Sequence, residues 1–141
     1  MSIITDQMGS KKATFFELLG GENGGVENIR SLVDAFYDVM DTDPAVAGIR
    51  AMHPDDLTAS REKLWLFLTG WTGGPQLYIE HYGHPFLRRR HMPFSIGESE
   101  RDQWMQCMIK AMHLLALDEA LMLRLAAALY DVADFMRNKP V

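Results

Sequence analysis

Helical periodicity is the feature that most restricts what this chain can fold into. From Val26 to Met40, apolar side chains recur at steps of three and four residues, which places them on one face of a helix. The same spacing recurs in three later segments, and no stretch of useful length alternates apolar and polar residues as a half-buried strand does. The sequence therefore predicts an all-α fold.

Start and stop signals bound the first two main helices. A short apolar segment near Phe15 is followed by a glycine-rich turn, after which the first main helix runs from Val26 to the pair Asp43-Pro44. It stops there because a residue before proline avoids helical angles. The second is predicted to start near Pro54, since proline and the aspartates after it suit a first helical turn, and to end at a Thr-Gly-Gly-Pro run.

The other two main helices lie in the C-terminal part of the chain. The third is predicted over about 98–117, with Ser95 or Ser99 in a capping box at its start, and the fourth over about 118–137. Residues 75–97 contain three of the six prolines, so we expect mostly loop there, with one short helix from about 85 to 91. The predicted architecture is four main helices with a long ordered loop before the third.

Chain length and cysteine content narrow the class of protein. The 141 residues suit a single domain, 1–141, which includes an N-terminal extension of about residues 1–13. The single cysteine, Cys107, excludes an internal disulfide and a Cys-pair zinc motif. It is predicted to be a small buried residue of the third helix.

Charge and hydropathy restrict the expected partners. Fourteen basic and 19 acidic residues give a net charge of −5, which argues against a nucleic-acid-binding protein. No uncharged apolar run approaches the roughly 18 residues of a transmembrane helix, and the first residues lack the apolar centre of a signal peptide. We therefore expect a cytoplasmic protein without membrane or nucleic-acid partners.

The segment from Gly83 to Phe94 carries the strongest chemical signal. Pro85 can open a helix and Pro93 cannot continue one, so His91 falls in the last turn of a helix barely two turns long. A histidine whose orientation the chain fixes on both sides suits a rigid ligand for one metal ion in an apolar pocket. A hydrogen-bonded core histidine is the commoner outcome for such a residue.

Three consecutive arginines, Arg88, Arg89 and Arg90, precede that histidine. A run of this kind is most often a solvated cluster or a patch for an acidic partner. It can also supply charge-assisted hydrogen bonds to the carboxylates of a bound anion. The spacing alone does not decide among these interpretations.

Polar groups interrupt the apolar faces of the predicted helices. Tyr37 lies beside Phe36 at the buried edge of the first helix, Ser60 interrupts the second, Trp104 lies one turn into the third, and His53 precedes the second. Buried tyrosine and tryptophan must satisfy their O–H and N–H groups. Each residue alone is more often part of a core. Together they would form the polar ceiling of a pocket, if the fold brings them together.

Five short motifs occur in a fixed order along the chain. They are Phe36-Tyr37 before Asp43-Pro44; Pro54-Asp55-Asp56-Leu57; Phe67-Leu68 before Gly73-Gly74-Pro75; Gly83-His84-Pro85 through Arg90-His91-Met92-Pro93-Phe94; and Glu100-Arg101-Asp102-Gln103-Trp104. In this order and spacing they resemble the group II truncated haemoglobins over roughly residues 14 to 137. The resemblance implies a truncated-globin fold in which a two-on-two helical sandwich surrounds haem, iron protoporphyrin IX.

The resemblance also implies roles for the residues nearest the iron. His91 would be the proximal iron ligand, Trp104 the distal tryptophan that donates its indole N–H to a bound ligand, and Tyr37 the distal tyrosine. His53 stands where many members have tyrosine or phenylalanine. Ser60 stands at the distal position where this group often has a small residue.

The remaining site residues would hold the porphyrin. Those at positions that commonly pair with the haem propionates are Lys63 and Arg90, with Tyr78 assisting. Those expected to pack against the porphyrin are Leu64, over the haem face, with Phe67 and Phe94.

The function implied by the resemblance is reversible binding of dioxygen and other diatomic ligands at ferrous iron, with a polar distal pocket that stabilises bound oxygen. An alternative is a haem enzyme with peroxidase-like or nitric-oxide-oxidising activity, which would require a reductase. A haem-free helical interaction module is the third interpretation. No catalytic residue is assigned, and the sequence leaves open the role of His53 and the choice between monomer and homodimer.

Overall fold

The structure is a computed structural model that describes residues 13–139, and within this range it consists of helices and loops without a strand. A 3-10 turn, Pro44–Val46, separates the second α-helix from the third. The α-helices are α1 (Phe15–Leu18), α2 (Gly25–Thr42), α3 (Ala47–Arg50), α4 (Thr58–Trp71), α5 (Leu77–Tyr82), α6 (Leu87–His91), α7 (Glu98–Leu114) and α8 (Glu119–Phe135). The all-α prediction is confirmed, whereas residues 1–12 of the predicted N-terminal extension lie outside the described residues.

Two pairs of long helices form the sandwich. α2 packs on α4, α7 packs on α8, and the contact between α2 and α7 joins the two pairs. The apolar faces of these helices meet in one core. Its fully buried side chains include Ile29, Val33, Phe36, Met40, Cys107, Met108, Met112, Leu125 and Leu129. The predicted two-on-two arrangement and the burial of Cys107 are therefore confirmed.

Backbone conformation at both ends of α2 explains where this helix begins and ends. Gly20 in the preceding turn has φ +129°, and a Cβ atom there would lie 2.9 Å from the Gly25 nitrogen, so the turn requires glycine. At the other end Asp43 is extended before Pro44, and its Oδ1 accepts a hydrogen bond from the Ala45 N–H at 2.9 Å. The predicted end of this helix is confirmed.

The start of α4 differs from the prediction by about one turn, since the helix begins at Thr58 rather than near Pro54. Arg50 donates to the carbonyl oxygens of Pro54 and Asp55 at 2.9 and 2.8 Å. The Thr58 N–H bonds instead to Asp56 Oδ1 at 2.9 Å. A helix that began at Pro54 would need the Thr58 N–H to bond to the Pro54 carbonyl, and because Asp56 holds that N–H the helical ladder starts later.

The predicted capping of α7 was wrong, although the helix begins at Glu98 as expected. Gly97 is the N-cap, and its N–H donates to Glu100 Oε1 at 2.7 Å. The Ser99 hydroxyl does not cap the helix but accepts a hydrogen bond from the Gln103 side chain.

The end of α7 lies at Leu114, three residues before the predicted end. Ala116 adopts a left-handed conformation with φ +54°. The Leu117 N–H donates back to the Met112 carbonyl, and the Ala116 N–H to the His113 carbonyl, which is the Schellman pattern. The sequence lacks the usual signal for this stop because alanine replaces the customary glycine.

The segment between α4 and α7 is more helical than predicted. It contains α5, a six-residue helix that the sequence analysis missed, as well as the predicted short helix, which begins at Leu87 and ends at His91. Six residues are too few to display a helical period. Among residues 13–139, no helix is both long and apolar enough to cross a membrane.

Candidate functional site

One cavity of about 440 Å³ is bounded by residues from α2, α4, α5, α6, α7 and α8. All eleven site residues predicted from the sequence line it. They are Tyr37, His53, Ser60, Lys63, Leu64, Phe67, Tyr78, Arg90, His91, Phe94 and Trp104. A second, more open groove beside α1 contains none of them. The structure thus brings together side chains that are up to 67 positions apart in the sequence.

His91 ends α6 and presents its imidazole to one side of the cavity. Its Nδ1 lies 2.6 Å from the carbonyl oxygen of Leu87, one helical turn earlier. A carbonyl oxygen only accepts, so Nδ1 carries the proton of the neutral ring and Nε2 keeps its lone pair. This is the tautomer that a histidine needs in order to bind a metal through Nε2.

Asn138 fixes the loop that follows His91. Its side-chain NH₂ donates to the carbonyl oxygens of Phe94 at 2.7 Å and His91 at 3.3 Å, and its Oδ1 accepts from the Ile96 N–H at 2.9 Å. These bonds join the loop to the chain just after α8. The sequence analysis missed Asn138, because it lies beyond the predicted helix and carries no local motif.

Tyr37 and Trp104 present two polar groups to the same cavity. The Phe36 ring lies between them, with centroids 4.9 Å from the Tyr37 ring and 5.1 Å from the Trp104 ring. Within residues 13–139 neither the Tyr37 hydroxyl nor the Trp104 indole N–H has a hydrogen-bond partner. Both groups are therefore available to a molecule inside the cavity.

The protonation state of Tyr37 makes its hydroxyl a donor at neutral pH. The ring is only 6% exposed, and this burial raises the pKa of Tyr37 well above its ordinary value. The guanidinium of Arg61, 5.9 Å from the ring centroid, opposes the shift but does not reverse it. The hydroxyl consequently keeps its proton.

His53 enters the cavity beside Tyr37, with ring centroids 5.9 Å apart in an edge-on arrangement. Its Nδ1 lies 2.8 Å from the Ile49 carbonyl oxygen, and burial lowers the pKa of His53 despite this bond. The ring is therefore neutral near pH 7, with the proton on Nδ1 and a lone pair on Nε2. His53 offers the cavity an acceptor, a point that the sequence left open.

The backbone that positions His53 is fixed from α7. The Ile49 N–H donates to Gln103 Oε1 at 3.0 Å. Gly48 makes room for that contact, since a Cβ atom there would lie 2.9 Å from the same oxygen. Gln103 is a positioning residue that the sequence analysis did not identify.

The walls of the cavity are largely apolar. Besides Leu64, Phe67 and Phe94, the apolar wall residues are Ile49, Met52, Leu87, Ile96, Val132, Ala133 and Met136. Val132, Ala133 and Met136 lie at the C-terminal end of α8 and just after it, and the sequence did not show that this region closes a cavity. The buried Tyr78 ring stands edge-on to Phe67, with centroids 6.3 Å apart.

Two cationic side chains, Lys63 and Arg90, line the cavity and are exposed to solvent, so they lie at its rim. Arg101 lines the wall between α7 and α8, where it forms ion pairs with Asp102 and Asp134 at 2.9 and 2.8 Å. Arg101 is therefore already neutralised within the protein. Lys63 and Arg90 form no ion pair with the described residues.

These properties fit haem. The apolar walls suit the faces of a porphyrin, and the rim cations Lys63 and Arg90 suit its two carboxylates. His91 engages the Leu87 carbonyl through Nδ1 and leaves Nε2 for the metal, and Tyr37 and Trp104 supply donors that have no partner among residues 13–139.

Comparisons with known proteins identify the family of the chain. The family model of the bacterial-like globins matches residues 14–138. Group 2 truncated hemoglobin YjbI of Bacillus subtilis (strain 168) is 42% identical over 94 residues, which are 67% of this chain and 69% of that protein.

Solved structures show the same relationship over more of the chain. The cold-adapted truncated hemoglobin of the Antarctic bacterium Pseudoalteromonas haloplanktis TAC125 superposes with a TM-score of 0.83 at 38% identity, covering 90% of this chain and 99% of that one. The group II 2-on-2 hemoglobin of Agrobacterium tumefaciens gives 0.82 at 40% identity, covering 93% and 98%. The chain therefore belongs to the bacterial-like globins, among which it is a group II truncated haemoglobin with haem as its cofactor.

Proposed function

We propose that this protein retains dioxygen at a haem bound through His91, with Tyr37 and Trp104 as the donors that stabilise the ligand. Family membership establishes a haem globin that binds diatomic ligands. The proposal concerns the roles of particular residues. It rests on one observation: two polar donors without a partner among the described residues line the same cavity as the imidazole of His91.

On the proximal side, His91 binds the iron through Nε2, because Nδ1 is engaged with the Leu87 carbonyl. When bound, haem supplies a ferrous iron with an open coordination position for a small ligand. Asn138 keeps the loop after His91 in place through three hydrogen bonds. The imidazole of His91 would therefore reach the iron from one direction only.

The porphyrin is held by groups around the rim and walls. Lys63 and Arg90 pair with the propionates, since both are exposed and neither has a carboxylate partner among residues 13–139. Tyr78, which lies beneath the rim, assists Lys63 and Arg90 in binding the propionates. Leu64, Phe67 and Phe94 contact the ring and exclude water from it.

On the distal side, Tyr37 and Trp104 favour a ligand that carries negative charge. Dioxygen held at a ferrous haem would carry such charge, whereas carbon monoxide would stay nearly neutral. A hydrogen bond is worth about 0.5–1.5 kcal/mol, and about 1.5–3 kcal/mol when the acceptor is charged. Two donors therefore slow the release of dioxygen by a factor of roughly ten to a thousand.

His53 acts indirectly in this scheme. Its Nε2 carries no proton at neutral pH, so it accepts a hydrogen bond from water and does not donate to the ligand. Ser60, a small half-buried residue of α4, leaves the distal side open to small molecules.

Optical spectra of the purified protein in its ferric, ferrous and oxygenated forms test this function. We expect a five-coordinate ferrous spectrum and a stable oxygenated form. His91→Ala should lose stable haem incorporation unless imidazole is added, and His81→Ala, which changes an exposed histidine outside the cavity, is the matched control. A normal five-coordinate ferrous spectrum in His91→Ala contradicts the assignment. Sustained turnover of peroxide or nitric oxide would favour the enzyme alternative over retention.

A further inference from the structure

Arg88, Arg89 and Arg90, which we call the basic patch, are all exposed on α6. Uncharged groups hold each guanidinium in place. Arg88 donates to two carbonyl oxygens at the end of α8 at 2.7 and 2.9 Å, and Arg90 Nε donates to the Pro85 carbonyl at 2.7 Å. The Arg89 guanidinium lies 4.5 Å from the centroid of the Phe86 ring. Most of their N–H groups are left free, yet the side chains have defined positions.

The charge of this patch is not neutralised by the part of the chain that the structure describes. None of the three arginines has a carboxylate partner there. The arginines that do form ion pairs with aspartates are Arg30, Arg50, Arg61, Arg101 and Arg137. In a chain with a net charge of −5, Arg88 and Arg89 form a local region of opposite sign even when Arg90 pairs with a haem propionate.

Exposed apolar side chains adjoin the basic patch. Phe86, Met92 and Phe94 are 44%, 55% and 42% exposed. Aromatic residues, methionine and arginine are the residue types enriched at protein interfaces. Arg90 and Phe94 also line the haem cavity, so this surface lies directly over its proximal edge.

We propose that the basic patch is the docking site for an acidic electron-donor protein. Surface carboxylates of the donor would pair with Arg88 and Arg89, while its redox group would face the cavity edge next to Arg90 and Phe94. The step transfers one electron: the donor is oxidised by one electron and the ferric iron is reduced to ferrous. The inference rests on the proposed function, because a globin that retains dioxygen works only in the ferrous state.

A donor protein suits this surface better than a lipid membrane does. Binding to anionic lipid typically requires a cluster of about four to eight cations. The basic patch has three, concentrated on a five-residue helix. Its position over a redox-active cavity favours a partner that exchanges electrons.

The test uses the ferric holoprotein and reduced plant-type ferredoxin, an acidic one-electron donor, as the probe. Reduction is followed in carbon monoxide, which traps the ferrous form with a distinct spectrum. The second-order rate constant is measured from about 10 to about 300 mM ionic strength, over which the Debye length falls from about 30 Å to below 8 Å. We expect the wild-type rate constant to fall about tenfold or more across this range.

Charge reversal identifies the surface responsible. Arg89→Glu, which removes only a ring contact, should lower the low-salt rate constant about threefold or more, and Arg88→Glu/Arg89→Glu about tenfold or more, with a flatter salt dependence. Arg124→Glu is the matched control: Arg124 also lies over a ring, that of Phe15, and forms no ion pair with a described residue. Arg124 precedes Phe135, whose carbonyl oxygen accepts a hydrogen bond from Arg88, by 11 positions on α8, which is about 16 Å along the helix axis. The rate constant of Arg124→Glu should therefore stay within about twofold of wild type.

The readouts separate failure of this inference from failure of the proposed function. A Soret band and the carbon monoxide association rate are measured for every variant, and absence of haem would count against the proposed function itself. If haem content and carbon monoxide binding are normal, and the reduction rate constant changes neither with salt nor in Arg89→Glu, the proposed docking site is wrong and the proposed function is unaffected. Binding to phosphatidylserine vesicles that Arg89→Glu abolishes, without any effect on reduction, would assign the patch to a membrane and also overturn it.

Discussion

Replacing Tyr37 with phenylalanine removes one hydroxyl group from the distal side and preserves the packing. The Tyr37 ring stands edge-on to Phe36 and to His53, and phenylalanine keeps both ring contacts. The hydroxyl has no hydrogen-bond partner within residues 13–139, so its loss leaves no other described group unsatisfied. The free energy of unfolding of the haem-free protein should therefore change by less than about 1 kcal/mol.

The effect on ligand binding should be much larger. A hydrogen bond to a negatively charged acceptor contributes about 1.5–3 kcal/mol, and each 1.4 kcal/mol corresponds to a tenfold change. Tyr37→Phe should therefore accelerate dioxygen dissociation roughly 10- to 150-fold. Carbon monoxide carries little charge, so its dissociation should change by less than about threefold.

Stopped-flow displacement of dioxygen by carbon monoxide measures this rate in the haem-loaded protein, and urea unfolding of the haem-free protein measures stability. Tyr130→Phe, the same chemical change at an exposed residue of α8 that does not line the cavity, is the control and should leave both rates unaltered. If Tyr37→Phe destabilises the protein and leaves the ratio of the two dissociation rates unchanged, the tyrosine is a packing residue and the reasoning is refuted.

Three further changes address the rest of the site. Trp104→Phe deletes the indole N–H and should also speed dioxygen dissociation about tenfold or more by stopped flow; an unaltered rate would leave the indole a packing role only. Asn138→Ala removes three hydrogen bonds near His91, each worth about 1 kcal/mol, and should lower the free energy of unfolding by about 3 kcal/mol in urea titrations. The Arg101 guanidinium lowers the pKa of Asp134, so the ionised carboxylate stabilises the fold above about pH 4 and loses this effect as pH falls through the lowered pKa. Asp134→Asn should therefore be less stable than wild type at pH 7, and the difference should shrink on acidification below pH ~4 in acid-unfolding curves.

Local signals in the sequence determined the four main helices, and the resemblance to a known family identified residues at the cavity. The apolar spacing after Val26 and the stop at Asp43-Pro44 describe α2 correctly, because periodicity and backbone restriction act within a few residues. Proline on either side of His91 likewise predicted the helix that carries it. The motifs that resemble the group II truncated haemoglobins identified eleven residues, and all of them line one cavity.

Some element boundaries could not be predicted, because residues outside the element decide them. α4 starts late, with the Thr58 N–H bonded to Asp56 and the carbonyl oxygens of Pro54 and Asp55 bonded to Arg50. α7 stops early through a Schellman motif built on Ala116. Neither signal is visible in residue type, because an arginine can find many acceptors and an alanine rarely adopts a left-handed conformation.

The sequence by itself determined an all-α chain, since this depends on short-range spacing, and its resemblance to a known family supplied the candidate residues of the site. Only the tertiary structure decided what those side chains can do. It joins Asn138 to His91 across 47 positions and Gln103 to Ile49 across 54, leaves Tyr37 and Trp104 without a described partner, and assigns a carbonyl acceptor to Nδ1 of each cavity histidine. Hydrogen-bond partners, burial and neutralising charges come from residues distant in the chain, and no local pattern records which of them will meet.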